Sequence, residues 1–426
     1  MKKYLAVLLL PVLLSTTKVD STEIDFYLSN QANYQLNYRQ YDAHFTQVPA
    51  NPNVFTTMDT YIDSNLTQKK GTVAPNEAFE IIGSQVNDQN QVVFELANHC
   101  FVLADSSVIY DDVVLESTIN EQKMWLKKGF IVYSSPIGNK RKAIKTTLQA
   151  YQPVMIAEVV RTHTGEFAKV DGLGWIDISY IAIEDNRIEA VQELLNQKYT
   201  SENIGIFVKQ LATQKIAGVH QDKMMYAASV SKLPVLYYTQ ERINVGDFKL
   251  TEGLQYVDKV TGFKGSYSAE GSGSLSKIAD NRHYRIDELI DKIAKESDNA
   301  ASNVLAYYMT NQFDSSFYQT ISKIGGRHWD MSSRQASAQM AGLMMEAIYY
   351  QNGYVLNSLQ STNFDNQRIA RDIPVVVAHK IGDAYDFKHD VGLVFSESPF
   401  VLSIFTDHSD YDMISQIAND IYGILK

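Results

Sequence analysis

Ser229 and Lys232 are the two residues of this 426-residue chain whose types and spacing best fit chemistry. They lie three positions apart at the start of the apolar run 233–236, where a helical turn brings both side chains to one face. A serine hydroxyl is a weak nucleophile until a neighbouring base takes its proton. A lysine amine can be that base when burial or nearby positive charge lowers its pKa. The pair predicts a serine nucleophile with a lysine base, although a capped surface helix has the same pattern.

Two later tripeptides make this pattern more specific. Ser-Asp-Asn occupies positions 297–299, and Lys-Ile-Gly occupies positions 380–382. Taken singly, the first is a common helix-capping sequence and the second a common turn. Together, the order Ser-x-x-Lys, Ser-Asp-Asn and Lys-x-Gly resembles the serine β-lactamase and penicillin-binding-protein superfamily, and in particular a class A β-lactamase-like serine hydrolase.

The resemblance implies catalytic roles for the first two motifs. Ser229 would attack a carbonyl and form an acyl-enzyme, and Lys232 would be the base for that step. Ser297 would pass the proton to the leaving nitrogen. Asn299 would hold the substrate amide or the Lys232 amine, and Asp298 would be turned inward with a structural role.

The third motif is expected to bind substrate. By the same resemblance, Lys380 would supply positive charge for a substrate carboxylate and help to keep Lys232 neutral. Gly382 would let the substrate backbone lie against the edge of a strand. The oxyanion would lie between the backbone N–H groups of Ser229 and Asp383.

Two departures from the superfamily pattern bear on substrate and turnover. Ile381 replaces the usual Thr or Ser, whose hydroxyl would bond the substrate carboxylate, so we expect weaker binding of D-Ala-D-Ala-like ligands or a different substrate. The stretch 300–342 contains no glutamate that could activate a deacylating water. General-base help is worth ~10²–10⁴-fold, so efficient β-lactam hydrolysis is disfavoured.

Hydrophobic periodicity predicts an α/β domain over residues 187–426, of the β-lactamase/transpeptidase type. It consists of an antiparallel sheet flanked by helices from both ends of the domain, beside an all-α lobe. The predicted helices are 186–196, 286–295, 300–308, 333–349 with Ser333 as a cap, and 414–424. The predicted strands are 204–208, 215–219, 374–378, 391–395 and 400–406.

Residues 56–112 and 113–186 are predicted to form two small all-β modules. The runs 79–83 and 92–96 flank a polar turn and indicate a hairpin, and 94–102 weakly repeats as 167–176. The ending Gly-Leu-Gly-Trp-Ile resembles that of bacterial SH3-like wall-binding modules. These modules would either attach the chain to cell-wall polymer or act as a spacer without a ligand.

The N-terminus has the layout of an export signal. Lys2 and Lys3 precede the apolar run 4–14, which is short for a membrane span. We expect residues 1–23 to be a signal peptide or an N-terminal anchor, and the polar residues 24–55 to be a linker. The expected location is the exterior or cell surface of a bacterium.

Composition excludes several classes of partner. The net charge of −11 argues against nucleic acid or an anionic membrane as the main partner. Cys100 is the single cysteine, and the nine histidines lack ligand spacing, so no metal and no cofactor are predicted.

The sequence favours an exported serine acyl-hydrolase that acts on cell-wall peptide or a related amide or ester, with penicillin-binding, D,D-carboxypeptidase-like chemistry at Ser229. Its expected partners are peptidoglycan or another wall polymer, with a β-lactam as a covalent ligand. Two alternatives stay open: a class A-like β-lactamase, and a catalytically silent wall-binding protein.

Overall fold

The computed structural model describes residues 45–426, which fall into two units. The first unit comprises residues up to 122, 130–147 and 155–179, and the second comprises 123–129, 148–154 and 180–426. The predicted signal or anchor lies outside the described residues, as does most of the predicted linker. Among residues 45–426, no helix has the length and apolar character needed to cross a membrane.

Seven strands open the first unit. They are β1 (Pro52–Val54), β2 (Met58–Tyr61), β3 (Lys69–Val73), β4 (Ile81–Val86), β5 (Val92–Leu96), β6 (Phe101–Leu103) and β7 (Ile109–Asp111). β1 pairs with β7, and the others form a sheet in the order β3-β2-β6-β5-β4. Phe94, Val102 and Ile109 are buried in one cluster beneath this sheet. β1 begins inside the stretch predicted to be a linker.

Four further strands follow. They are β8 (Val114–Leu126), β9 (Pro153–Thr162), β10 (Gly165–Val170) and β11 (Gly174–Asp177), in the order β11-β10-β9-β8. The predicted hairpin is confirmed as β4 with β5, and the predicted repeat coincides with two hairpins, β5–β6 and β10–β11. The SH3-like character of these sheets and the domain boundaries after 112 and 186 stay predictions.

The second unit is built on a five-stranded antiparallel sheet. The strands of this unit, five of which form that sheet, are β12 (Ile181–Ala182), β13 (Ile204–Gln210), β14 (Ile216–Val219), β15 (Met225–Tyr226), β16 (Gly253–Gln255), β17 (His283–Arg285), β18 (Gln335–Ala336), β19 (Val377–Ala384), β20 (Phe387–Val394) and β21 (Phe400–Asp407). β12 pairs with the end of β8. The main sheet has the order β14-β13-β21-β20-β19, so β19 is an edge strand. β15 pairs with β18, and β16 with β17.

Helices cover both faces of this sheet. They are α1 (Arg187–Lys198), α2 (Leu233–Asn244), α3 (Ile286–Glu296), α4 (Asn299–Met309), α5 (Ser315–Gly325), α6 (Ala338–Gln351), α7 (Tyr354–Leu359) and α8 (Tyr411–Leu425). Alternate residues of a strand point to opposite faces. Ile206 of β13 accordingly packs with α1 and α8, whereas Phe207 packs with the cluster formed by α2–α7. The expected flanked sheet and α-helical lobe are confirmed.

Two local predictions were wrong: the bounds of the third-motif strand and the start of α6. The strand predicted at 374–378 is β19, which runs to Ala384 because its pairing with β20 continues through the motif. α6 begins at Ala338 rather than near Ser333, because residues 335–336 are held extended by pairing with β15. Its cap is Ser337, whose hydroxyl accepts a hydrogen bond from the Met340 N–H at 3.2 Å. The helix α5 was not predicted, and Asp314 caps it by accepting from the Phe317 N–H.

Replacing the observed cap should cost more than replacing the predicted one. We expect Ser337→Ala to lower the free energy of unfolding by about 1 kcal/mol, because a helix N–H loses its acceptor. The matched variant Ser333→Ala, at an exposed position, should change it by less than about 0.5 kcal/mol. Urea denaturation of both variants measures the difference, and equal losses would contradict the cap assignment.

Candidate active site

Ser229 and Lys232 lie in a 3₁₀ turn, Ala228–Lys232, that leads directly into α2. Side chains three residues apart eclipse each other in a 3₁₀ turn, so the predicted pairing holds although the turn is not α-helical. The Lys232 amine lies 2.9 Å from Ser229 Oγ. Ala228, just before the serine, has a φ of 47°, a left-handed conformation that is uncommon for a residue with a side chain.

The bonding of Lys232 shows how its amine can act as a base. Lys232 is fully buried and donates to the Ser297 carbonyl and to Asn299 Oδ1, both at 2.6 Å. Asn299 is oriented by its own Nδ2, which donates to the Ser268 carbonyl. A neutral amine uses its two N–H bonds on these acceptors, which leaves its lone pair for the Ser229 hydroxyl. Burial, followed by the charge of Lys380, lowers the pKa of Lys232 well below its usual value.

The Ser297 hydroxyl lies between two amines. Its Oγ is 3.3 Å from Lys232 Nζ and accepts from Lys380 Nζ at 2.8 Å. Ser297 ends α3 in a left-handed conformation, which turns its side chain and carbonyl toward Lys232. Lys380 is 1% exposed and also donates to the Ile381 carbonyl. Burial lowers the pKa of Lys380 to about 7.

Asp298 and a glycine-rich loop hold the second motif in place. Asp298 is buried and caps α4 by accepting from the Ala301 N–H, and it also accepts from the Leu275 N–H. A Cβ at Gly273, whose φ is 104°, would lie 2.1 Å from the Asp298 side chain. The inward, structural role predicted for Asp298 agrees with these contacts.

Gly382 permits close packing of β19 against the nucleophile turn. A Cβ there would lie 2.8 Å from the Ala227 carbonyl oxygen and 3.0 Å from Val230 Cγ2. The neighbouring Asp383 carboxylate accepts from the guanidinium of Arg368 at 2.6 Å. The substrate contact predicted for Gly382 and the oxyanion-binding N–H predicted for Asp383 stay predictions.

The three motifs thus meet in one cluster, and the comparison with known proteins agrees with them. The model of the Beta-lactamase enzyme family matches residues 186–425, more than half of the chain. The chain belongs to this family. The superfamily predicted from the three motifs is thereby confirmed.

Solved structures align with this member of the Beta-lactamase enzyme family at low identity. PBP-A is 18% identical, with 56% of this chain and 96% of that chain covered and a TM-score of 0.46. A β-lactamase from Sphaerobacter thermophilus DSM 20745 is 19% identical, with 57% and 97% covered and a TM-score of 0.46. A PBP-A mutant in an acyl-enzyme complex with penicillin G is 17% identical, with 56% and 96% covered and a TM-score of 0.46. A search of curated proteins found no match.

Two site residues of this Beta-lactamase enzyme family member carry no signal in the sequence. The Tyr267 ring lies 4.6 Å from the Lys232 amine and 4.0 Å from the Arg334 guanidinium. The Tyr267 hydroxyl bonds Ser231, and Asn303 holds the Tyr267 backbone at both N–H and carbonyl. Arg334 is a further cation that lowers the pKa of Lys232. Only the tertiary fold brings these isolated residues to Lys232.

A buried histidine supports the chain just before the nucleophile turn. His389 of β20 is fully buried and stacks on Phe405 at 4.1 Å. Its Nε2 donates to the Tyr226 carbonyl at 2.9 Å, and its Nδ1 accepts from the Thr406 N–H at 3.1 Å. Both ring nitrogens are therefore satisfied in the neutral form. Burial lowers the pKa of His389 from 6.5 to about 4.

His389 should make folding stability depend on pH. Between about pH 4 and 6.5 the unfolded chain binds a proton on this ring and the folded chain does not, so the stabilisation is complete above 6.5 and is lost as pH falls toward 4. The shift corresponds to about 3 kcal/mol. His389→Gln should remove this dependence, which urea denaturation across the pH window would measure. Parallel pH profiles for wild type and variant would contradict it.

Proposed function

We propose that this protein is a serine acyl-hydrolase that opens an amide or ester bond through an acyl-enzyme on Ser229. The observation that carries the proposal is the contact between the buried Lys232 amine and the Ser229 hydroxyl. The two N–H bonds of the neutral amine already have acceptors, so its lone pair faces this hydroxyl. A nucleophile in contact with an oriented base is the arrangement that covalent acyl transfer requires. The same contact speaks against the catalytically silent alternative.

The proposed reaction moves one proton along the cluster. Neutral Lys232 takes the proton of Ser229 as Oγ bonds the substrate carbonyl carbon. The Ser297 hydroxyl, which bonds both amines, passes its proton to the leaving nitrogen or oxygen as the bond between that atom and the carbonyl carbon breaks, and Ser297 regains a proton from the Lys232 ammonium. Lys380 contributes positive charge beside this path, and water then hydrolyses the acyl-enzyme.

We further propose that the reaction takes place at the surface of a bacterium, on cell-wall peptide or a related amide or ester. The basic start and the short apolar run of the sequence support export. For the first unit, with its two groups of strands, we propose attachment to a wall polymer such as peptidoglycan. D,D-Carboxypeptidase-like chemistry, with β-lactams as covalent ligands, is the form of this activity that the three motifs support.

Efficient β-lactam hydrolysis is the second candidate, and the segment between the second and third motifs disfavours it. Residues 300–342 contain no glutamate. The two aspartates of the segment bind backbone: Asp314 caps α5, and Asp330 accepts from the N–H groups of Ser332 and Ser333. Carboxylates used in this way are poorly suited to activating a water.

A fluorophosphonate probe tests the nucleophile. We expect it to label wild type and the matched variant Ser231→Ala, but not Ser229→Ala. Ser231 is the control because its hydroxyl bonds the Ala228 carbonyl rather than the Lys232 amine. Lys232→Met should slow labelling by ~10²–10⁴-fold, because the general base is lost. Intact-protein mass spectrometry and peptide mapping measure the adduct. Absence of label on Ser229 in wild type would refute the proposal.

Nitrocefin tests the second candidate. We expect at most one molecule to be opened per protein, without sustained turnover, because no carboxylate base is in place for the deacylating water. Absorbance over many equivalents measures this, with Ser229→Ala as the control that opens none. Sustained, Ser229-dependent turnover would instead establish a β-lactamase.

A further inference from the structure

Ile381 lies on the edge strand of the active site, where the superfamily pattern has a hydroxyl. Side chains alternate along β19, so Lys380 and Gly382 share the face of the nucleophile turn, while His379, Ile381 and Asp383 share the other. Ile381 is 6% exposed and offers no hydrogen bond from its side chain. A carboxylate at this point would have to find its partners among the neighbouring cations.

Three cations near Ile381 already have hydrogen-bond partners: Arg368 and Lys388 have the Asp383 carboxylate, whereas Lys380 bonds only uncharged oxygen atoms. Lys380 donates to Ser297 Oγ and to the Ile381 carbonyl. Arg368, which is 1% exposed, donates to Asp383 at 2.6 Å and stacks on Tyr411 at 3.7 Å. Lys388 lies 3.1 Å from the same Asp383 carboxylate. Binding a substrate carboxylate here would mean breaking one of these pairs.

A fourth cation, His379, also has carboxylate partners already. His379 is buried between two carboxylates, with Nδ1 2.9 Å from Asp390 and Nε2 3.1 Å from Asp365. Asp390 faces Ile381 across the strand pair and is fully buried. Burial lowers the pKa of His379, but the two carboxylates outweigh it and raise this pKa to about 9, which favours a cationic ring whose charge they balance. The field beside Ile381 therefore does not favour an added anion.

An aromatic surface adjoins the nucleophile face instead. Phe387 lies opposite Ala384, on the face that Gly382 and His389 share. The Tyr226 ring, three residues before Ser229, lies 5.8 Å from the Tyr385 ring and 6.2 Å from the Phe387 ring. Tyr385 is 83% exposed. Tyr226 and Phe387 are half-buried, so the three rings form a partly exposed, uncharged surface.

We propose that this site selects acyl substrates with no carboxylate beside the scissile bond, and that an uncharged aromatic or apolar part of the substrate lies on Tyr226, Tyr385 and Phe387. Ile381 offers the anion no hydrogen bond, and Arg368, Lys388 and His379 are already ion-paired, so a carboxylate buried here would lack a full set of partners, which is costly. This inference rests on the proposed acyl transfer at Ser229 and narrows its substrate to neutral esters and amides. It therefore disfavours the D,D-carboxypeptidase-like form and β-lactam ligands, whose molecules carry a carboxylate beside the scissile bond.

Two hippuryl thioesters form the test pair: the thioester of thioglycolic acid, which carries a carboxylate on the leaving group, and that of its methyl ester, which is neutral. In each case Ser229 Oγ bonds the hippuryl carbonyl carbon, the carbon–sulfur bond breaks, and the thiol leaves with the proton that Ser229 gave up. Each kcat/KM is divided by the rate at which hydroxide hydrolyses the same thioester, which removes differences in intrinsic reactivity.

We expect wild type to prefer the neutral thioester by roughly tenfold or more. Ile381→Thr should reduce this preference, whereas Ile381→Val, the matched change without a hydroxyl, should retain it. Tyr385→Ser should lower kcat/KM for the neutral thioester.

Equal rates, or preference for the carboxylate, with turnover dependent on Ser229 would overturn this inference and leave the proposed function standing. The same holds if Ile381→Thr and Ile381→Val behave alike. If neither thioester acylates Ser229, and the fluorophosphonate fails as well, the proposed function itself is overturned together with this inference.

Discussion

The second unit depends on one electrostatic constraint: two buried lysine amines lie close to the hydroxyl of Ser297. Ser297 Oγ lies 2.8 Å from Lys380 and 3.3 Å from Lys232, and both lysines are buried. Two ammonium groups so placed would lose their hydration and repel each other, so ionisation of both is opposed. Lys232 can lose its proton at little cost, because its two N–H bonds find acceptors and its lone pair faces Ser229. Burial thus favours the neutral amine of Lys232.

The backbone is shaped to bring these groups together. Ala228 and Ser297 both adopt left-handed conformations, with φ of 47° and 56°, at the two points where the chain turns into the cluster. Such conformations are unfavourable for residues with side chains and persist only where surrounding contacts hold them. Gly273 and Gly382 remove the side chains that would separate the loop and the edge strand from the motifs. Much of the surrounding packing therefore serves the approach of three distant segments.

Membership of the Beta-lactamase enzyme family agrees with the proposed acyl transfer, and the departures from its motif pattern bear on the proposed substrate. The nucleophile, the amines and the asparagine are all present. Beside them, Ile381 is surrounded by cations that already have partners, among them Arg368 with Asp383 and His379 with Asp390. A site can keep the machinery for acyl transfer and still change its ligand, because specificity depends on a few neighbouring charges and hydrogen bonds.

The sequence by itself determined the three motifs, their order, the superfamily, most helices of the second unit and four strands of its main sheet, because periodicity and motif spacing can be read from the local sequence. It did not predict the short strand pairs or the bounds of β19. It also indicated the inward role of Asp298. Only the tertiary structure decided that Ser229 and Lys232 share a 3₁₀ turn, that Ser337 caps α6, and that the Tyr267 ring contacts both Lys232 and Arg334. These features arise from contacts between residues far apart in the chain, such as the pairing of 335–336 with β15. A single tyrosine or arginine has no local pattern that reveals its distant partner.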